Sequence, residues 1–346
     1  MKIKIIPIAL ILLASISCKK DKETVPTPIN SFLAASDGIY INNEGGFNAG
    51  NTSITYSDGT ESGTIRDVYK QVNNSDLGDI CQSMTKYNDL LYLVINNSAK
   101  IEVVDLFNMK KTATITGFTS PRYILPVNAA KAYVSDLYSN HLSIVNLNTN
   151  TISGNISLSG STEDMLLYNG KVYVTNLITP YLYIINPTTD IIEDSILIGI
   201  GGNSLRLDAN NNIWILCGGD YVTSTPGSLH RINPATKLNE LSLTFPASDY
   251  PNRLRINESG NTLFFLDLNV YKMPITETSL PTTAFIDAAG KSFYGLGYDK
   301  VKHLVYVSDA IDYQQAGRIY KYNTVGTELS SFPAGIIPGD FLFLNN

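Results

Sequence analysis

Three histidines and three cysteines are all that the chain offers for metal, haem or nucleophilic chemistry. His141 falls in a predicted loop, His230 in a predicted strand and His303 in a turn at the opposite end of its repeat, so they do not converge into a zinc or haem site. No GxSxG elbow, P-loop, HExxH or CxxCH is present. Catalytic residues, a metal and a cofactor are therefore not expected. Cys81 and Cys217 have no metal or redox spacing; they read as free buried thiols, with a disulfide left open. The remaining acid–base candidates are Asp79, Glu163, Asp164, Asp309 and Asp312. Gathered at one place they would bind calcium or move protons, although loop aspartates usually form turns.

What positions these groups is a repeated element. Residues 131–136 read KAYVSD and residues 171–176 read KVYVTN, each followed by a variable stretch and a second apolar segment, LSIVN or LYIIN. Related kernels are GIYINNEG from Gly38, LLYLVINN from Leu90, NIWILCGG from Asn212, TLFFLDLN from Thr262 and LVYVSDAI from Leu304. Each alternates in the period-two manner of a strand. The unit is roughly forty to fifty residues long with about four short strands, which is the period of a propeller blade. One such sheet cannot bury both faces, so neighbours must stack. The expected fold is all-β, a seven-bladed β-propeller of four-stranded blades. The first unit is short of an innermost strand and the C-terminal DFLFLNN is surplus, so the last strand is expected to complete the first blade and close the ring.

In such a ring the loop between the second and third strands and the loop entering the first strand share one face. The kernels stay similar because they pack; these loops vary because they face solvent or ligand. The face is predicted to carry Phe47, Tyr138, Tyr181, Tyr221, Tyr250, Tyr294 and Tyr313 on its rim. Asp79, Gln82, Arg122, Asp164, Asn203, Arg253, Asp309 and Asp312 are predicted nearer the axis. Tyrosine combines a flat apolar ring with a polar tip, which suits a large amphipathic ligand or a protein surface.

The first residues carry an address. MKIK, the short apolar run IIPIALILLA and SISC form a secretory signal (1–17), with Cys18 as the acylated cysteine of a lipoprotein. Residues 18–30 then read as a charged, proline-containing tether, and the propeller is expected over 31–346. The formal net charge is −6 with no basic block, so no nucleic-acid partner is expected.

The repeats KAYVSD, KVYVTN and LVYVSD resemble the YVTN, or YncE-like, propellers over most of the chain from about residue 37. GIYINNEGGFNAGNTSITYSD, LGDICQSM and the stretch from YGLGYD to IIPGDF are similar to the Bacteroidetes propeller lipoproteins that include the BtuG-type surface proteins. The resemblance implies a lipid-anchored outer-membrane protein, facing the cell exterior, that captures cobalamin or another corrinoid for a TonB-dependent transporter. Two other readings stay open: a protein-interaction or surface-layer propeller without a small ligand, and a propeller enzyme of the lactonase or lyase kind.

Overall fold

The computed structural model describes residues 32–345. The expected signal segment 1–17, Cys18 and the tether 18–30 lie outside them. The seven kernels form the strands Ile39–Asn43, Leu90–Ile95, Lys131–Asp136, Lys171–Asn176, Ile213–Cys217, Thr262–Asp267 and Leu304–Asp309, each the second of its sheet. They are buried almost end to end because each faces a neighbouring sheet on both sides. In the first, Ile39 and Ile41 pack toward the seventh blade while Tyr40 packs toward the second. In the second, Leu91, Leu93 and Ile95 face back to the first blade, and Tyr92 and Val94 face forward to the third. The core is thus a circle of seven apolar clusters, one per interface. Fully burying each large side chain contributes about 1.5–3 kcal/mol.

Within a blade the strands run antiparallel from the axis outward, as in Cys81–Tyr87, Leu90–Ile95, Lys100–Asp105 and Lys111–Thr116. Asn and Asp side chains close the outer turns. Asn146, Asn186 and Asn233 each accept a backbone N–H two residues on. Among the described residues, six sheets have four strands. The sixth has three (Asn252–Ile256, Thr262–Asp267, Asn269–Pro274), and where a fourth would lie the chain makes only the isolated bridge Val270–Ile286. The intervening TETSLPTTAF contains Pro281, which has no N–H for a ladder. Leu280 and Phe285 cover that edge by packing instead, Phe285 edge-on to Phe264 at 5.6 Å. A short helix, Val68–Asn73, joins the first two blades and buries Val68 and Tyr69 in their interface. The sequence pattern gave no sign of it. Cys81 and Cys217 are buried and unbridged, in different blades.

The ring closes as expected. Pro338–Phe343 pairs antiparallel with Ile39–Asn43, matching Ile39 to Phe343, Tyr40 to Leu342 and Ile41 to Phe341. Its side chains reach both neighbours: Phe343 joins the cluster with Tyr306 and Leu344 the cluster with Tyr40. Deleting residues 339–346 therefore bares the inner edge of the first blade. The truncated chain is expected to lose its cooperative thermal transition or to associate, as seen by calorimetry and size-exclusion chromatography; a stable monomer with unchanged Tm would contradict this closure.

Candidate functional site

The innermost strands begin at the loop-bearing end of the ring: Cys81–Tyr87, Pro121–Asn128, Thr162–Tyr168, Gly202–Leu207, Asn252–Ile256, Phe293–Asp299 and Pro338–Phe343. In each, the ladder to the second strand slips just after the first residue. A bulge of this kind gives one strand an extra residue and re-aims its side chain. The second residues are Gln82, Arg122, Glu163, Asn203, Arg253, Tyr294 and Gly339. The first six line one cavity of about 720 Å³ at the mouth of the axis. Gly339 supplies no side chain, and a Cβ there would lie 2.6 Å from Glu44 Oε1. Glu44, just beyond the strand Ile39–Asn43, fills the seventh place and lines the same cavity.

Opposite charges are paired across this ring. Arg122 donates to Glu163 through Nε (2.7 Å) and Nη2 (2.6 Å), and through Nη1 to Gln82 Oε1. Such a two-pronged guanidinium–carboxylate pair is stronger and more directional than a single bond. Arg253 donates to Glu44 Oε1 at 3.1 Å and lies over the Tyr294 ring, while the Tyr294 hydroxyl donates to Glu44 Oε2 at 2.7 Å. A second tier lies deeper. Arg206 bonds Asp164 at 3.1 Å and Arg255 bonds Asp340 at 2.6 Å. Burial alone would lower the Arg122 pKa, but the Glu163 charge and hydrogen bonds outweigh it and hold the guanidinium above its usual value. Arg255 goes the other way: burial dominates, and the nearby Arg206 and Arg253 add to it against Asp340.

Above this floor the cavity is walled by Phe47, Tyr138, Tyr250, Phe293 and Tyr313, with Leu268 at the tip of a tight hairpin. The loop tips are pinned by the polar ends of the kernels. Asp136 accepts the N–H groups of Tyr138 and Ser139, Asn176 those of Ile178 and Thr179, and Asp309 those of Ser292 and Ile311. Asp309, expected near the axis, is instead a buried loop anchor.

Of the residues expected at the site, Phe47, Gln82, Arg122, Tyr138, Asp164, Asn203, Arg253, Tyr294 and Tyr313 meet around the cavity. Four others do not line it. Asp79 accepts the Asn48 N–H and the Asn97 amide on one oxygen, Oδ2. Asp312 caps its own turn through Gln314 and Gln315. Tyr181 lies against Tyr183, and Tyr221 stands outside the cavity with its ring edge-on to Tyr250 at 5.6 Å. Residues missed were Glu44, Tyr123, Arg206, Arg255, Asp267 and Asp340. For Tyr123, Arg206, Arg255 and Asp340 the available signal was position, as residues three to five of an innermost strand; Asp267 instead ends the second strand of blade six. Glu44 was hidden because it replaces a side chain on another strand. Among the described residues, no group of three or more His, Cys, Asp or Glu is placed to hold a metal ion.

Two consequences are measurable. Glu163→Ala leaves the Arg122 charge without its main partner and should destabilise the fold by about 3–5 kcal/mol, whereas the double change Arg122→Met/Glu163→Leu should recover most of that loss in denaturant unfolding. On the rim, burial and the neighbouring Asp249 push the Asp267 pKa up to about 6. The folded state therefore holds this proton more tightly than the unfolded chain, so the stabilising effect is present in acid and lost as pH rises through about 6. Asp267→Asn should raise Tm at about pH 8 and leave it nearly unchanged at about pH 4, where Asp267 is already protonated in the folded protein.

Comparison with known proteins bears first on the fold. Among curated proteins, none matches the chain in sequence. A quinonprotein alcohol dehydrogenase-like protein from Bacteroides thetaiotaomicron has a similar structure, with a TM-score of 0.69 at 15% identity over 90% of this chain and 79% of its own. A protein from Lactobacillus plantarum gives 0.63 at 13% identity, over 89% of this chain and 99% of its own. Kuenenia stuttgartiensis hydrazine synthase gives 0.57 at 12% identity, over 73% and 85%. At these identities the likeness extends to the fold alone. The fold is thus used by an enzyme as well, and the expectation of a non-catalytic chain does not follow from it. In sequence, residues 37–333 match one family model, and the chain belongs to that family, described as Domain of unknown function (DUF5074).

Proposed function

We propose that this chain is a lipid-anchored binding protein of the outer membrane that holds an amphipathic ligand, without covalent chemistry, in the mouth of its propeller. One observation carries the reading: a cavity of about 720 Å³ whose walls are aromatic and whose floor is a ring of charge-paired polar groups. That volume falls within the roughly 300–1,000 Å³ of small-molecule sites. The paired floor offers both donors and acceptors while remaining close to neutral, which favours a ligand rich in amides or other uncharged polar groups over a strongly charged one. A corrinoid meets this description, with an extended ring for the tyrosines and amide arms for the floor, and it is the ligand to which the sequence resemblance points. Transfer to a TonB-dependent transporter would follow from the same resemblance.

A second reading has its own support. Phe47, Tyr138, Tyr221 and Leu268 are 72%, 74%, 78% and 85% exposed on one face, more apolar surface than a solvent-facing rim requires. In that reading the face docks on a protein and the cavity is incidental.

Titration of residues 21–346 with cyanocobalamin decides between them. Saturable heat and tyrosine quenching at micromolar concentrations are expected. Tyr138→Ala combined with Tyr250→Ala should weaken binding by about tenfold or more, since each ring contact is worth about 0.5–1.5 kcal/mol beyond its buried area. No heat and no spectral change rejects the corrinoid reading, and retention of an outer-membrane protein without corrinoid would then favour docking.

A further inference from the structure

Blades three and four are fastened at the end opposite the mouth by a contact that blades four and five lack. Lys131 and Tyr133, the first and third residues of their strand, reach across to the next blade. Lys131 Nζ bonds Asp190 Oδ1 at 2.7 Å and the Pro187 carbonyl at 2.6 Å, and the Tyr133 hydroxyl donates to the same Asp190 oxygen. The next interface repeats the donors, as Lys171 and Tyr173, but not the acceptor. Its turn reads NPATK where the preceding one reads NPTTD, so Lys237 stands where Asp190 would. The equivalence is structural as well. Both residues have φ of 59°, and each donates its N–H, at 2.8 Å, to the carbonyl four residues back, of Asn186 or Asn233.

The exchange of a carboxylate for an ammonium leaves Lys171 and Tyr173 without the acceptor that Asp190 provides one interface earlier. Lys171 turns back to Glu193 on its own blade, and Lys237 takes Asp194 at 2.5 Å. Tyr173 is 3% exposed and lines a cavity there, with no hydrogen bond from its hydroxyl among the described residues. That cavity, of about 520 Å³, is lined also by Glu193, Tyr168 and the exposed Asn169, Asn210 and Asn211.

We propose that this groove is a second ligand site, for a carboxylate-bearing polyhydroxylated small molecule of the uronic-acid kind. Its carboxylate takes the place that Asp190 fills one interface earlier, receiving the Tyr173 hydroxyl and the two ammonium groups. The two lysines are free to turn, since their present partners are partly exposed surface carboxylates, whose pairing contributes little. Asparagine amides both donate and accept, which suits hydroxyl groups, and the Tyr168 ring offers a flat apolar face to a sugar. The site is independent of whatever occupies the mouth.

The test is a titration of the full chain with D-glucuronate, with glucose and acetate as partial probes, followed by NMR or calorimetry. Saturable glucuronate binding is expected, with either partial probe weaker by about tenfold or more, a difference of about 1.4 kcal/mol. Lys237→Asp restores the acceptor for Lys171 and Tyr173 and should cost at least about tenfold in glucuronate affinity without lowering Tm, because aspartate already occupies this backbone conformation at position 190. The paired change Arg122→Met/Glu163→Leu, which alters the mouth without stranding a buried charge, should leave glucuronate binding unchanged. Absence of saturable binding up to about 10 mM, ten times a weak Kd of about 1 mM, overturns the proposal, as does an unaltered affinity in Lys237→Asp. Equal affinity for acetate and glucuronate overturns the sugar assignment.

Discussion

A sheet edge that must find a partner governs this molecule. Seven sheets stacked face to face bury their apolar surfaces only when the circle is complete, and the circle is completed by hydrogen bonds between chain segments almost three hundred residues apart, at Ile39–Asn43 and Pro338–Phe343. Those bonds bring Phe341 and Phe343 beside Tyr306 and fix the first blade against the last. They also put Gly339 under Glu44, so the closing strand and the site are one piece of geometry.

The second element is the bulge repeated at the head of every innermost strand. A regular ladder would alternate side chains between the two neighbouring blades, leaving nothing aimed at the axis. One extra residue per strand breaks the alternation at the level of the mouth, and the chain uses it for Gln82, Arg122, Glu163, Asn203, Arg253 and Tyr294. Polar groups crowded at a narrow axis need partners, which is why the arginines and carboxylates are paired in two tiers. The pairing positions the donors without giving the channel a strong net charge.

Much of this was legible in the residues. KAYVSD and KVYVTN announced the strands because burial on both faces leaves little freedom of composition, and the surplus DFLFLNN announced the closure. Loop order alone put Tyr138, Tyr313, Arg122 and Arg253 at the cavity. The bulges were not legible, since a slip of register leaves no mark on composition, and without them Arg206, Arg255 and Asp340 look like ordinary strand residues. Asp79, Asp309 and Asp312 were misplaced for a related reason: a carboxylate in a loop looks the same whether it faces a ligand or its own backbone, and here the backbone N–H groups claim it. Blade six lost its fourth strand to a segment with Pro281, which the period alone could not reveal.

The anchors at Asp136, Asn176 and Asp309 have a consequence for how such a protein diversifies. Each grips main-chain amides rather than side chains, so the loop it secures keeps its course whatever residues it displays at the tip. The contact face is in effect a socketed panel: its lettering can be rewritten one blade at a time while the frame that carries it goes unedited.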